Sequence, residues 1–167
     1  DNGFKIFCID EVHCIMEPYL KKFLFKVGSK PTANYVYTKQ RISVFGALGE
    51  NDFYYETTEK YCNWKSWLKF INKLRNKYGK IAIIIDGASY HFEKNHVQNF
   101  YNYNNENLVV FQLPAYSPEL NPIEQHWIKI KEYLANSHWM NKREFKEKLI
   151  EGLENSAKTK LFDYYTR

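Results

Sequence analysis

The sequence predicts an α/β domain in which a mixed five-stranded sheet, an antiparallel meander plus parallel strands, is flanked by helices. Two apolar runs, at 4–9 and 81–85, have the composition of buried strands, and the second lacks the polar alternation of a strand with a solvated face. Each run is followed by an aspartate, Asp10 or Asp86. Between them, large apolar residues recur at helical spacing after Asn63, as on a helix that covers a sheet. These observations predict a single domain over residues 1–167.

The first half of the sequence has the pattern of an antiparallel meander. We predict strands at 4–10, 41–48 and 53–57, because these stretches are apolar or β-branched and turn residues separate the last two. The basic and aromatic segment 21–40 is predicted to contain a strand and an extended loop, since its Gly28 and Pro31 disfavour a regular helix. An amphipathic helix then starts after Asn63 and ends at Gly79.

The second half alternates strands and helices. A strand at 81–85, a polar helix at 92–103 and a strand at 108–113 predict a parallel pair joined by a right-handed crossover. The next helix is expected to use Asn121 as its N-cap and Pro122 as its first residue, with Glu124 at the acidic position of a capping box. A final helix is predicted from about residue 141. The predicted core positions of these two helices are Ile123, Trp127, Ile130, Leu134, Phe145, Leu149 and Leu153.

Composition restricts the classes of function without selecting one. The net charge of +5 suits a polyanionic partner, although a basic protein without such a partner would have the same charge. The three cysteines include no C-x-x-C pair, so neither a disulfide framework nor a zinc ribbon is predicted, and a reducing cytoplasm is expected. No apolar stretch approaches the ~20 residues of a membrane span. The chain begins without Met and enters its first strand at once, so we expect a piece of a longer protein.

Three acids are the candidate catalytic residues. Asp10 and Asp86 follow buried strands, where α/β sheets place their ligands, and Glu124 can reach the same edge from its helix. Carboxylates from separate elements suit two Mg²⁺ ions that activate a nucleophile and stabilise a leaving oxygen in phosphoryl transfer. Each acid also has a simpler interpretation: a strand-end acid, an Asp-Gly turn and a helix cap, respectively.

Further residues are candidates for supporting the metal site or contacting DNA. Glu11 follows Asp10, and strand alternation directs its side chain to the opposite face, so a structural or supporting role is expected. His91 could touch a substrate phosphate or be an ordinary surface histidine. Basic residues interleaved with aromatics in 21–41 could grip a nucleic-acid backbone or form a solvated edge. The candidates beyond the three acids are Glu11, His91, Asn121, Lys26, Lys30 and Arg41.

The stretch from Leu113 to Trp127, LPAYSPELNPIEQHW, resembles the "YSPxLNPIExxW" signature of DDE transposases of the mariner superfamily, particularly the bacterial and archaeal insertion-sequence branch. Asp10, in Ile-Asp-Glu, and Asp86, in Ile-Ile-Asp, are similar to the first and second acids of that family. The spacing from position 86 to position 124 is 38 residues, close to the spacing typical of the superfamily. The resemblance extends over nearly the whole chain and identifies a catalytic domain.

The resemblance implies an RNase H-like fold that binds two Mg²⁺ or Mn²⁺ ions. It further implies DNA cleavage at transposon ends and strand transfer into a target, commonly TA, by a cytoplasmic, nucleoid-associated enzyme. Asp10 would bridge the ions, while Asp86 and Glu124 would each complete the coordination of one ion. DNA is the expected partner, and a homodimer is compatible with the transposase hypothesis. Two departures from the family are expected to matter: Gly87 stands where the family commonly has Asn after the second acid, and we expect the N-terminal helix-turn-helix region to be absent from this chain.

Two other functions remain open. One is a different RNase H-like nuclease that cuts RNA in a hybrid or resolves junctions, which the Asn-Pro-Ile-Glu124 motif disfavours. The other is a catalytically silent transposase remnant that acts in DNA binding or dimerisation, which the intact acids disfavour.

Overall fold

The computed structural model describes residues 3–17, 26–29 and 38–157, and the helices and strands below belong to these ranges. The strands are β1 (Lys5–Ile15), β2 (Arg41–Gly49), β3 (Phe53–Thr58), β4 (Ile81–Ile85) and β5 (Leu108–Gln112). The helices are α1 (Trp64–Tyr78), α2 (Val97–Tyr103), α3 (Ile123–Ala135) and α4 (Lys142–Ser156), with short 3₁₀ turns at Ser89–Phe92 and Pro118–Leu120. Most of the predicted strand and loop at 21–40 lies outside the described residues.

The five strands form one mixed sheet in the order β3-β2-β1-β4-β5. β1 pairs antiparallel with β2 and parallel with β4, and β4 pairs parallel with β5. The predicted meander and the parallel pair joined through a helix are therefore confirmed. β1 lies at the centre, which places its residues next to the end of β4.

β1 is longer than predicted, and Asp10 lies within it rather than at its end. On one side, its pairing with β2 continues from Phe7 to Ile15. On the other side, its pairing with β4 stops at Cys8, opposite Ile84. Asp10 therefore lies two residues beyond the last β1 residue that pairs with β4. It is still paired with Gly46 of β2. The sequence pattern could not show that β1 continues past Asp10, because residues 11–15 pair with β2, a strand from a distant part of the sequence.

Helices cover both faces of the sheet. One apolar layer lies between the sheet and α1, where Trp67, Phe70, Ile71 and Leu74 are buried. The other layer contains α3 and α4 and includes the predicted core positions Ile123, Trp127, Ile130, Leu134, Phe145, Leu149 and Leu153. Alternation along β1 sends successive side chains into different layers, since Ile9 belongs to the first layer and Cys8 to the second. Asp10 and Glu11 therefore serve opposite faces.

The prediction of one helix over 92–103 is wrong. A 3₁₀ turn at Ser89–Phe92 is followed by a separate short helix that starts at Val97. The Glu93 carboxylate accepts hydrogen bonds from the backbone N–H groups of Asn95, at 3.2 Å, and His96, at 2.7 Å, which favours a turn there. None of the helices in the ranges that the structure describes is long and apolar enough to cross a membrane.

Candidate active-site cleft

The three predicted acids line one cleft. Asp10 reaches it from β1, Asp86 from the residue after β4, and Glu124 from the first turn of α3. The cleft has a volume of about 420 Å³, and the loop 113–118 forms another wall. Side chains that are 76 and 38 residues apart along the chain thus face a shared space at the sheet edge.

Asp10 is held in place by the core of α3. The indole Nε1 of Trp127 donates a 2.8 Å hydrogen bond to Oδ2 of Asp10. Burial, followed by repulsion from Glu11 and Glu124, raises the pKa of Asp10 to about 7, although hydrogen bonds from the Glu11 backbone and Trp127 act in the opposite direction. A nearby cation would lower the pKa of Asp10, because positive charge favours the ionised form of an acid.

Gly46 provides the space that the Trp127 ring needs. It lies opposite Asp10 in the β1–β2 ladder, and a Cβ atom built there would overlap the indole, 2.8 Å from its Cζ2. Trp127 was predicted as a core residue of α3, whereas its hydrogen bond to Asp10 and the space that Gly46 leaves for it were not predicted. The Trp-to-Asp contact depends on packing between β1, β2 and α3, so no local pattern could have identified it.

Asp86 contacts a buried histidine. Nδ1 of His91 lies 3.0 Å from Oδ1 of Asp86, and Nε2 lies 2.8 Å from Oε1 of Glu11. The Asp86 contact is a close ion pair rather than a well-aligned hydrogen bond. His91 is fully buried, so the expectation of a surface histidine or a direct phosphate contact is wrong. The ring instead connects β1 to the residue after β4.

This ion-pair cluster changes the ionisation of its members. Burial alone lowers the pKa of His91, but its contacts with Asp86 and Glu11 outweigh that effect and raise the pKa to about 9. The raised pKa favours the imidazolium form of His91 at neutral pH, which places a positive charge between the two carboxylates. The contact with His91, opposed by burial and helped by the Ala88 N–H, lowers the pKa of Asp86. Asp86 is consequently ionised at neutral pH.

Asn121 does not cap α3 as predicted. The helix begins at Ile123, after Pro122, and the Asn121 side chain makes no capping hydrogen bond. Its Nδ2 donates instead to the carbonyl of Ile9 at 3.4 Å, which connects the start of α3 to the residue before Asp10. The side chain is buried, and among the described residues Oδ1 has no hydrogen-bond partner. Asn121 thus belongs to the cleft, as the sequence analysis allowed, but through tertiary contacts.

Of the basic candidates, Lys26 and Arg41 lie within the described residues, and neither lines this cleft. The Arg41 guanidinium lies 3.9 Å from the centre of the Tyr61 ring, at the start of β2. Lys26 is exposed within 26–29, and Lys30 lies outside the described residues. A role of Lys26, Lys30 and Arg41 in DNA contact stays a prediction.

Tyr116 is a cleft residue that sequence analysis missed. Its side chain is fully exposed at the cleft wall, and its backbone has a φ of 56°, which is unusual for a bulky residue. A backbone outlier at a cleft wall marks a candidate functional position. Its position between Ala115 and Ser117, ahead of two prolines, was the available signal for a constrained turn.

The donor set of the cleft is chemically suited to a hard divalent cation. Three carboxylates and the unpartnered Asn121 Oδ1 offer the oxygen ligands that Mg²⁺ and Mn²⁺ prefer. Their arrangement does not form a finished three-ligand site, since no group of three His, Cys, Asp or Glu side chains in 3–17, 26–29 and 38–157 is placed to hold one ion. An ion held by two carboxylates and water is compatible with that arrangement.

The five-stranded mixed sheet with helices on both faces, and a cleft lined by carboxylates at its edge, are features of the RNase H-like fold. A family model described as "DDE superfamily endonuclease" matches residues 5–146, so the chain belongs to that family. The predicted DDE assignment and the RNase H-like fold are confirmed. Comparison with curated proteins gave no significant match.

Solved structures share this fold at low sequence identity. The Mos1 strand transfer complex matches with a TM-score of 0.68 and 21% identity over 89% of this chain and 47% of that chain. The Mos1 transposase paired-end complex with left transposon end gives 0.70 and 20% over 96% and 49%. The catalytic core domain of BIV integrase gives 0.53 and 14% over 89% and 80%. The present chain therefore spans about half the length of the Mos1 chains.

Proposed function

We propose that this domain cleaves DNA strands at transposon ends and joins them to target DNA, using divalent metal ions. The observation that supports this most directly is the shared cleft of Asp10, Asp86 and Glu124 in a domain of the DDE endonuclease family. The net charge of +5 is compatible with a DNA partner. Cut-and-paste movement and a TA target are the finer parts of the same proposal.

The protein side chains have distinct parts in this reaction. Asp10, Asp86 and Glu124 would hold the Mg²⁺ or Mn²⁺ ions. Such ions lower the pKa of an attacking water or 3′-hydroxyl and neutralise charge on the leaving oxygen. Trp127 fixes one Asp10 oxygen, His91 fixes one Asp86 oxygen, and Asn121 holds the start of α3 against β1. These contacts orient the acids before DNA arrives.

Assembly is a further part of the proposal. Mos1 transposase forms a paired-end complex and a strand transfer complex. We infer that two copies of the present domain act together on two DNA ends.

A nicking assay tests the proposed function. Supercoiled plasmid is incubated with the protein and Mn²⁺, and nicked product is expected for the wild type but not for Asp86→Ala. Glu119→Gln is the matched control, because Glu119 is a nearby acid of the 3₁₀ turn that does not line the cleft. Nicking that survives Asp86→Ala would remove this site from the reaction.

A catalytically silent DNA-binding domain is the second candidate. It is favoured by the lack, among the described side chains, of a ready three-ligand metal cluster. Calorimetric titration with Mn²⁺ separates the two functions. A silent domain would bind DNA, but replacing Asp10 or Asp86 would not change its affinity for Mn²⁺.

A further inference from the structure

A buried histidine connects the two parts of the sheet that supply Asp10 and Asp86. His91 has no exposed surface and contacts one carboxylate through each ring nitrogen, Glu11 at 2.8 Å and Asp86 at 3.0 Å. The Glu11 side chain is only 7% exposed. Burying charged groups in this way is costly unless their geometry is well fixed, and an apolar side chain would fill the same space at less cost. Packing alone therefore does not account for the cluster.

Asp86 is the candidate metal ligand that most needs external support. It follows the last residue of β4, and its side chain is 53% exposed. A carboxylate that is half in solvent and outside a strand samples several rotamers unless other groups hold it. His91 and the N–H of Ala88, at 3.1 Å, both contact the same Asp86 oxygen, Oδ1. They hold the carboxylate in one orientation within the cleft.

Glu11 determines the orientation of the His91 ring, whereas other groups hold its backbone. The imidazole packs against the indole of Trp67 with ring centres 4.1 Å apart, and Glu11 contacts its far nitrogen. The Tyr101 hydroxyl donates to the His91 carbonyl at 2.9 Å and accepts from Trp67 Nε1 at 2.8 Å. Loss of the Glu11 carboxylate would thus release the ring while the main chain stays anchored.

We propose that Glu11 and His91 are positioning residues that fix the Asp86 carboxylate relative to Asp10. Asp10 and Glu11 are consecutive residues of β1 with side chains on opposite faces of the sheet. The contacts from Glu11 to His91 and from His91 to Asp86 therefore connect Asp86 to β1, the strand that contains Asp10. Strand β1 sets the separation of the two carboxylates that would share an ion. The expected effect on metal binding rests on the proposed function, whereas the fixed position of Asp86 does not.

Two measurements on the same variants test this role. Glu11→Leu keeps the side-chain volume but removes charge and acceptor, whereas Glu11→Gln keeps an acceptor for His91. In metal-free protein, amide hydrogen exchange at Ala88 reports whether Asp86 Oδ1 stays in place. Mn²⁺ affinity, measured by calorimetry, reports the consequence for the metal site. Glu56→Gln is the control, because Glu56 also forms an ion pair from the sheet, with Lys73.

For Glu11→Leu we expect Ala88 exchange to accelerate by about tenfold or more, since a contact between charged groups is lost. Mn²⁺ affinity should fall about 10- to 100-fold, the usual effect of removing a group that orients a metal ligand. Glu11→Gln should restore most of both values, which a role of side-chain volume alone would not require. If Glu11→Leu does not fold, Glu11→Ala, which also lacks the acceptor for His91, replaces it with the same expected changes.

Three results decide between the possibilities. Unchanged Ala88 exchange in Glu11→Leu, or in Glu11→Ala where it replaces that variant, would overturn the positioning role, as would equal changes in Glu56→Gln. Faster exchange in a protein whose wild type binds no Mn²⁺ would support the positioning of Asp86 and count against the proposed function alone. Faster exchange together with weaker Mn²⁺ binding would support both.

Discussion

The indole of Trp127 donates a 2.8 Å hydrogen bond to Oδ2 of Asp10, so a core side chain of α3 orients the central candidate acid of the cleft. Trp127 is itself 1% exposed and packs among the apolar residues between the sheet and α3. The position of Asp10 is therefore coupled to the packing of a whole layer. This coupling leads to two predictions about residues that do not face DNA.

Trp127→Phe should reduce DNA nicking more than it reduces stability. The variant keeps an aromatic ring in the core but loses the N–H that favours the ionised form of Asp10, so the pKa of Asp10 rises. We expect a decrease in nicking of about 10- to 100-fold at neutral pH and a shift of the acidic limb of the pH-rate profile to higher pH. Trp139→Phe, the same change in the same apolar layer, serves as the control. An unshifted acidic limb would contradict the prediction.

Gly46→Ala should disturb the same contact from the opposite side. Its Cβ would overlap the indole of Trp127, and relief requires the ring to move away from Asp10. We expect a loss of about 1–3 kcal/mol in the free energy of unfolding, together with weaker Mn²⁺ binding. Gly152→Ala provides a matched control, because its Cβ would meet the Tyr133 ring at 2.8 Å in the α3–α4 contact. That variant should leave Mn²⁺ affinity unchanged, and equal losses in both variants would refute the link to Asp10.

Asp10→Asn should make the protein more stable than the wild type at alkaline pH but not at pH 4. The folded-state pKa of Asp10, about 7, lies above its ordinary value of 3.8. Between these values the folded state retains a proton that the unfolded state has released, so wild-type stability falls as pH rises and the loss is complete above about pH 7. Asparagine does not ionise, and its side-chain oxygen can still accept from Trp127. The expected difference at pH 8 is on the order of a few kcal/mol.

Urea unfolding of both proteins at pH 4, 6 and 8 measures this difference. Titration of His91, whose pKa is raised to about 9, also lowers stability as pH rises from about 6.5 to 9. Because that contribution is present in both proteins, it cancels in their comparison. A difference in stability that does not vary with pH would show that Asp10 titrates normally.

Tyr116→Ala should weaken binding to single-stranded or distorted DNA without unfolding the domain. The fully exposed ring stands at the wall of the cleft, where it can stack on an unpaired base. Losing one stacked base costs about 1–3 kcal/mol, so we expect about a tenfold or larger increase in Kd measured by fluorescence anisotropy. Tyr116→Phe should bind as the wild type does. Tyr103→Ala removes another highly exposed ring, at the end of α2, and is the control.

Gly87→Asn tests the departure from the usual sequence after the second acid. Gly87 lies in the cleft, and its backbone does not adopt a positive φ. A Cβ there would approach only the end of the Gln112 side chain, at 2.9 Å, which can move. We expect a change in the free energy of unfolding below about 1 kcal/mol and nicking at least equal to that of the wild type. A large loss of activity would mean that this cleft requires glycine.

The sequence determined the elements whose signal is local. The uninterrupted apolar run Ile81–Ile85 was predicted with its observed bounds, and the helix after Asn63 begins and ends where its cap and Gly79 indicated. The signature around Glu124 was sufficient to identify the DDE family that the comparison confirms. These features depend on side-chain periodicity and on caps within a few residues, which a single sequence displays directly.

Only the tertiary structure decided how the site is held together. Asp10 lies within a strand because β2 pairs beyond it, and Asn121 leaves its cap position to contact Ile9. His91 is buried between acids from two parts of the sheet, and Trp127 reaches Asp10 across 117 positions of sequence. Each of these contacts joins residues that are distant along the chain. Their energies come from burial and charge in a space that exists only once the sheet and its helices have packed.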